Sequence, residues 1–195
     1  VLRSKKPPRV LHPLTFFLIF LSSFFFIAKQ FSGPSPQVSH DLVADKAGYA
    51  DIAVIYVYDG DTIKLADAEK VRFVGIDTPE SSRNKKLFRD ASRSGEDINK
   101  ILAMGRSAKE YTKGLLEGRR VRLEFDIEKR DKYGRLLAYV YRVDDGLFVN
   151  EDIIRNGYAY PMTIPPNVRH ADEFKKLFRE AQKAERGLWS SGPRL

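Results

Sequence analysis

Residues 120–128 alternate without a break: Val121, Leu123, Phe125 and Ile127 are apolar, while Arg122, Glu124, Asp126 and Glu128 are charged. Successive strand side chains point to opposite faces, so this segment predicts a strand with one face in a core and the other in water. Such a strand needs a sheet to join. Residues 52–58 form a β-branched and aromatic run that ends at Asp59-Gly60-Asp61, and residues 62–65 continue it. Asp-Gly between apolar runs is a strong hairpin signal. A polar turn at 66–70 leads to a third strand over 71–76, and a turn at Asp131-Lys132-Tyr133-Gly134 leads to a fifth over 136–142.

Helices fall among and after these strands. Ile101, Leu102, Ala108, Tyr111 and Leu115 recur at helical spacing over 98–116, and Gly118 follows as a stop. Asn150 is placed to cap a short helix over 151–156 that Gly157 closes. A last helix over 169–186 carries Phe174, Leu177, Phe178 and Ala181 on its buried stripe. Residues 81–97 are charged and aperiodic, and read as a mobile surface loop. Phe73, Phe125, Tyr139, Phe174 and Phe178 fall in these patterns as core, and Trp189 is expected to pack the chain end. The sum is an α+β domain, mainly β: a small five-stranded barrel of the OB type with about three helices.

The domain is expected over 51–190, with 191–195 as a tail. Residues 14–28 are apolar and uncharged behind a basic, proline-broken stretch at 1–13. Basic residues before an apolar run make 1–28 a signal peptide or a membrane anchor. The apolar run is shorter than the roughly 20 residues that span a bilayer, which favours a signal; the poor cleavage context at Phe26-Ile27-Ala28 favours an anchor. Either way the domain is expected to be exported or membrane-anchored, in a bacterial periplasm, on the cell surface or secreted. Residues 29–50, rich in Ser, Pro, Gly and Gln, read as a linker. Of the net charge of +8, residues 1–50 carry +4, so basicity alone says little about a polyanionic partner. The absence of cysteine excludes thiol catalysis and cysteine-held zinc, and three scattered histidines argue against a histidine metal cluster.

Three segments concentrate polar residues at strand ends: Asp59-Gly60-Asp61-Thr62; Arg72 with Asp77-Thr78-Pro79-Glu80; and Arg130-Asp131-Lys132-Tyr133-Gly134-Arg135. Each alone is an ordinary turn or strand exit. Together they supply the parts for phosphodiester hydrolysis. Asp61, Asp77 and the Thr78 carbonyl form an all-oxygen set suited to Ca²⁺, with waters and a phosphate oxygen completing the shell. Glu80 is placed to orient or deprotonate an attacking water, a role worth ~10²–10⁴ in rate. Arg72 and Arg135 can grip phosphate oxygens through two bonds each and offset transition-state charge.

The order Asp-Gly-Asp-Thr-Ile-Lys, Arg-x-x-x-x-Asp-Thr-Pro-Glu, Asp-Lys-Tyr-Gly-Arg-x-Leu-Ala-Tyr resembles the staphylococcal nuclease family over about residues 53–189. The resemblance implies an OB barrel and Ca²⁺-dependent hydrolysis of DNA and RNA on the 5′ side of the phosphorus, leaving 3′-phosphorylated products. It implies Asp61, Asp77 and Thr78 as metal ligands, Asp59 as a carboxylate just outside them, and Arg72, Glu80 and Arg135 as catalytic residues. Lys132 and Tyr133 match positions that contact a nucleotide phosphate. The implied partners are DNA and RNA, single-stranded or frayed by preference, acted on by a monomer. The alternative is a non-catalytic OB module that binds nucleic acid or protein, since the same barrel hosts both roles. Members of the family place two tyrosines, one residue apart, beside the bound base. Here one match puts Met162 and Ile164 there, and another puts Tyr158 and Tyr160 nearby. The loop after Glu80 also has its own length and composition.

Overall fold

The computed structural model describes residues 49–190. The expectations for 1–28, most of the 29–50 linker and the 191–195 tail fall outside the described residues. All described residues belong to one compact unit. Among the described residues no helix is long and apolar enough to cross a membrane.

Among the described residues, seven strands and four helices make a mixed α+β domain: β1 (Ile52–Asp59), β2 (Thr62–Leu65), β3 (Lys70–Phe73), β4 (Gly75–Asp77), α1 (Lys85–Ser94), α2 (Ile98–Leu116), β5 (Arg120–Arg130), β6 (Leu136–Arg142), α3 (Val149–Arg155), β7 (Tyr160–Met162) and α4 (Ala171–Lys183). A 3₁₀ turn at Gly187–Trp189 follows. Five strands pair in the order β1-β2-β3-β6-β5, and β1 returns to β5 through Ile52↔Val121 and Ala53↔Arg120, which closes the ring. Among the described strands only β3 and β6 pair in parallel. Val54, Val57, Ile63, Leu65, Val71, Phe73, Leu123, Ala138 and Val140 are buried in the core, the inward set that the alternating patterns require.

Four expectations are corrected. Residues 81–97 are not a loop throughout: Asn84 accepts the Leu87 N–H, α1 follows, and Gly95 ends it in the left-handed region. The helix forms because Leu87 is wholly buried against Ile101 and Leu102, an anchor that charged neighbours masked. The strand read at 71–76 is two. At Gly75 (φ +82°) a Cβ would stand 2.5 Å from the Phe174 ring, so the chain bends there and Ile76-Asp77 pairs with β7 instead of β6. Ile127 is 74% exposed because a bulge between Phe125 and Arg130 carries β5 beyond the barrel. Asn150 does not cap α3, which begins at Val149 behind Phe148.

Asn150 instead pins three elements. Fully buried, it accepts the Val140 N–H and donates to the Val74 carbonyl, both at 2.9 Å. Removing it strands two buried backbone groups, each worth about 1–3 kcal/mol. We predict that Asn150→Ala lowers unfolding free energy in urea by about 2–4 kcal/mol. A loss below about 0.5 kcal/mol would show that relaxation or water replaces both bonds.

Candidate active site

The β1–β2 turn and the β3–β4 bend deliver carboxylates to one place. Gly60 lets the turn sit against Thr78 and Ala108, where a Cβ would meet the Thr78 methyl at 2.8 Å. Thr112 Oγ1 donates to the Gly60 carbonyl from α2 at 2.7 Å. At Gly105, α2 presses so close to the strand exit that a Cβ would lie 2.2 Å from the Glu80 carbonyl oxygen. Two helix contacts thus fix the backbone of both acidic segments.

Asp61 is buried and accepts from the Thr62 hydroxyl (2.9 Å), the Thr78 amide (2.8 Å) and the Thr78 hydroxyl (3.0 Å). Arg72, itself buried, donates to the Phe73 and Ile76 carbonyls and to Asp77 Oδ1 (2.8 Å), and lies 3.2 Å from Asp61 Oδ2. Asp59 accepts the Gly60 amide (3.1 Å) and, at the limit of 3.5 Å, the Ser81 amide. Asp59, Asp61, Arg72, Asp77, Thr78 and Glu80 are therefore one contiguous group.

Lys86 belongs to this group too, and the sequence reading missed it. Its Nζ lies 2.7 Å from Glu80 Oε1, 3.3 Å from Asp77 Oδ2 and 3.3 Å from the Thr78 carbonyl oxygen. Asn84 donates to the other oxygen of Glu80. The one available signal was an Asn84 cap set before Leu87, which makes α1 a helix and brings its first turn back over Glu80.

Burial opposes charge on Asp61, yet Arg72, the Thr78 amide and the Thr62 hydroxyl hold its carboxyl below the usual range. At Asp77 burial outweighs Arg72 and Lys86 and raises it. Burial also opposes the Lys86 charge, but Asp77 and Glu80 lift it above an ordinary lysine. Burial, then repulsion from Asp61 and Glu80, pushes Asp59 up to about 7.

Four carboxylates (Asp59, Asp61, Asp77, Glu80) thus face two cations (Arg72, Lys86). Fully ionised, the cluster lacks two positive charges. An oxygen-only donor set with that deficit fits a divalent cation. Among the described residues, no three His, Cys, Asp or Glu side chains stand together as a cage. The oxygens that could hold such an ion are those of Asp61, Asp77 and the Thr78 carbonyl, which Arg72 and Lys86 now contact.

The β5–β6 turn supplies the remaining residues. Arg135 Nε donates to Asp131 Oδ2 at 2.7 Å, and Asp131 also accepts the Tyr133 and Arg135 amides. Lys132, Tyr133 and Arg135 line a cleft of about 430 Å³ with Arg72, so the two arginines border one cavity. Tyr133 is 73% exposed at its mouth. Met162 and Ile164 line the same cleft. Tyr158 instead stacks on Tyr111 at 4.1 Å, and Tyr160 packs on Trp189 and Phe178 in a separate cavity that backs onto Asp77 and Thr78. Of the two matches, the one with Met162 and Ile164 puts its residues in the cleft that Arg72 and Arg135 share.

The family profile of staphylococcal nuclease homologues matches residues 70–191. The chain is 35% identical over 136 residues to a thermonuclease of Staphylococcus intermedius, covering 68% of this chain and 72% of that protein. This chain belongs to the staphylococcal nuclease homologue family. It is also 31% identical over 141 residues to a thermonuclease of Staphylococcus hyicus, with 71% and 75% covered. A prophage-derived endonuclease of Bacillus subtilis, YokF, is 36% identical over 145 residues, 72% of this chain but 44% of that protein. The family profile starts at residue 70, after Asp59 and Asp61, so those two enter this family member's site through the geometry above.

The raised Asp59 group makes a pH prediction. Folded, it titrates near 7; unfolded, near 3.9. Below both values it costs nothing, and the fold loses stability as pH rises from about 4 to about 7. Asp59→Asn keeps an acceptor for the Gly60 amide and removes the charge. In chelator, its Tm should exceed that of the native chain by several degrees at about pH 8 and by little at about pH 4. A gap that does not widen with pH would contradict the placement of Asp59 among uncompensated carboxylates.

Proposed function

We propose that this chain is a Ca²⁺-dependent nuclease, hydrolysing DNA and RNA at the P–O5′ bond to leave a 3′-phosphate. The observation that carries this reading is the single group formed by Asp61, Asp77, Thr78, Glu80 and Arg72, beside the cleft that Arg135 shares. Relatives named thermonuclease and endonuclease support it, as does the closed five-stranded ring, which suits an OB-type barrel.

Asp61, Asp77 and the Thr78 carbonyl would hold the ion, which when bound supplies positive charge against the phosphate oxygens. Glu80 takes a proton from the attacking water as its oxygen joins phosphorus; Asn84 and Lys86 fix the direction of the Glu80 carboxylate. Arg72 is held rigidly by two carbonyls and two carboxylates, so its guanidinium charge is fixed at the edge of the cleft, where it offsets phosphate charge. Arg135, steered by Asp131, grips phosphate from the opposite turn. The P–O5′ bond breaks, the 5′ oxygen takes a proton from solvent, and the phosphate stays on the 3′ oxygen. Lys132 and Tyr133 border the path of the neighbouring nucleotide. We further propose a monomer that acts outside the cytoplasm, exported or tethered through residues 14–28.

Two substitutions separate the roles. Glu80→Gln should cut turnover by ~10²–10⁴ while Ca²⁺ affinity, measured by calorimetry, changes little. Asp61→Ala should lose turnover and Ca²⁺ affinity together. Equal small losses from both, or retained turnover in Glu80→Gln, would refute the assignment. Wild-type binding of nucleic acid with no cleavage, over several divalent metals, would favour a binding module.

A further inference from the structure

Across β1–β3 the core takes Val54, Val57, Ile63, Leu65, Val71 and Phe73. The alternate positions carry Tyr56, Tyr58, Lys64, Lys70 and Arg72, with bulges in β1 shifting its register. Tyr56, Lys64 and Lys70 sit opposite one another in one cross-strand row, and Asp59, Thr62 and Arg72 form the next row toward the site. Two residues along a strand are about 6.6 Å, so this row begins one short step from Arg72.

The row is both aromatic and basic. Tyr56 is 44% exposed and meets Tyr58 edge to face with centroids 5.0 Å apart. Lys70 Nζ lies 4.8 Å from the Tyr58 centroid, and Lys109 Nζ, reaching from α2, lies 5.4 Å from that of Tyr56. Glu69, the acid beside this row, is engaged by Arg130 at 2.9 Å and does not neutralise the lysines. Neither tyrosine serves the barrel core as an apolar residue would, and neither enters the proposed chemistry.

We infer that this face is a track for single-stranded polynucleotide running out of the active cleft, with Tyr56 and Tyr58 as base platforms and Lys64, Lys70 and Lys109 as phosphate contacts. The inference rests on the nuclease reading and extends it from the scissile phosphate to the nucleotides beyond. The exposed Tyr56 ring and the half-buried Tyr58 ring beside it can accept any base on a π-face, and ammonium groups next to them meet the phosphates between bases. The continuity with Arg72 selects a polynucleotide over a protein partner.

Fluorescence anisotropy tests the track with the 195-residue chain in mild detergent and chelator. The probes are labelled single-stranded DNA of about 12 nucleotides, within the span of such grooves, and a trinucleotide. Tyr56→Ala/Tyr58→Ala should weaken the long probe about tenfold or more and leave trinucleotide affinity unchanged. Lys64→Gln/Lys70→Gln, at positions outside the core, should reduce the slope of log affinity against log salt by about 1.4. Wild-type affinity and slope for the long probe in both variants would overturn the track, as would equal losses on both probes. If the native chain cleaves DNA and the variants bind it normally, only the track fails. If the native chain neither binds nor cleaves nucleic acid, the nuclease reading fails and takes the track with it.

Discussion

The Arg72 guanidinium, buried between β3 and β4, donates to the Phe73 and Ile76 carbonyls and to Asp77 while standing 3.2 Å from Asp61. One side chain therefore holds the β3–β4 bend, the hairpin carboxylate and the strand-exit carboxylate in a single geometry. The bend is what takes Asp77 off the barrel and onto the β7 pairing. A lysine could balance charge here, but it could not reach two carbonyls and two carboxylates in a planar fork. Removing Arg72 would leave Asp61 buried without its main counter-ion, a change that destabilises the fold as well as the chemistry.

Charge governs the rest of the site. Two cations do not balance four carboxylates, and the imbalance is visible where compensation is poorest, at Asp59, pushed up to about 7. Lys86 takes up part of the excess, touching Asp77, Glu80 and the Thr78 carbonyl from the first turn of α1. A divalent cation bound by Asp61, Asp77 and that carbonyl would meet the same oxygens.

Much of this was legible in the sequence because it was written in local patterns. The alternation at 120–128, the Asp-Gly hairpin and the helical stripe over 98–116 each depend on neighbours along the chain, and each is found where the pattern put it. The three polar segments converge because the hairpin, the bend and the β5–β6 turn are all strand ends. The misses depend on distant residues. Gly75 breaks its strand because of the Phe174 ring, α1 is anchored by Leu87 against α2, and Asn150 satisfies backbone groups of β6 and Val74. Ile127 matched its strand's period but lay past a bulge that only the β5–β6 register reveals. Lys86 was hidden for the same reason as α1, a charged stretch whose single buried leucine gives no periodic signal.

As the proposed nuclease centre, this charge-deficient cluster would cleave phosphodiesters once a divalent cation completes it. The most direct measurement is release of fluorescence from a quenched single-stranded DNA by the native chain, with Ca²⁺ and then with chelator, beside Glu80→Gln. A nuclease of this kind gives cleavage with Ca²⁺, none in chelator, and a collapse in the variant with the metal present. Cleavage that persists in chelator, or that survives in Glu80→Gln, would contradict it.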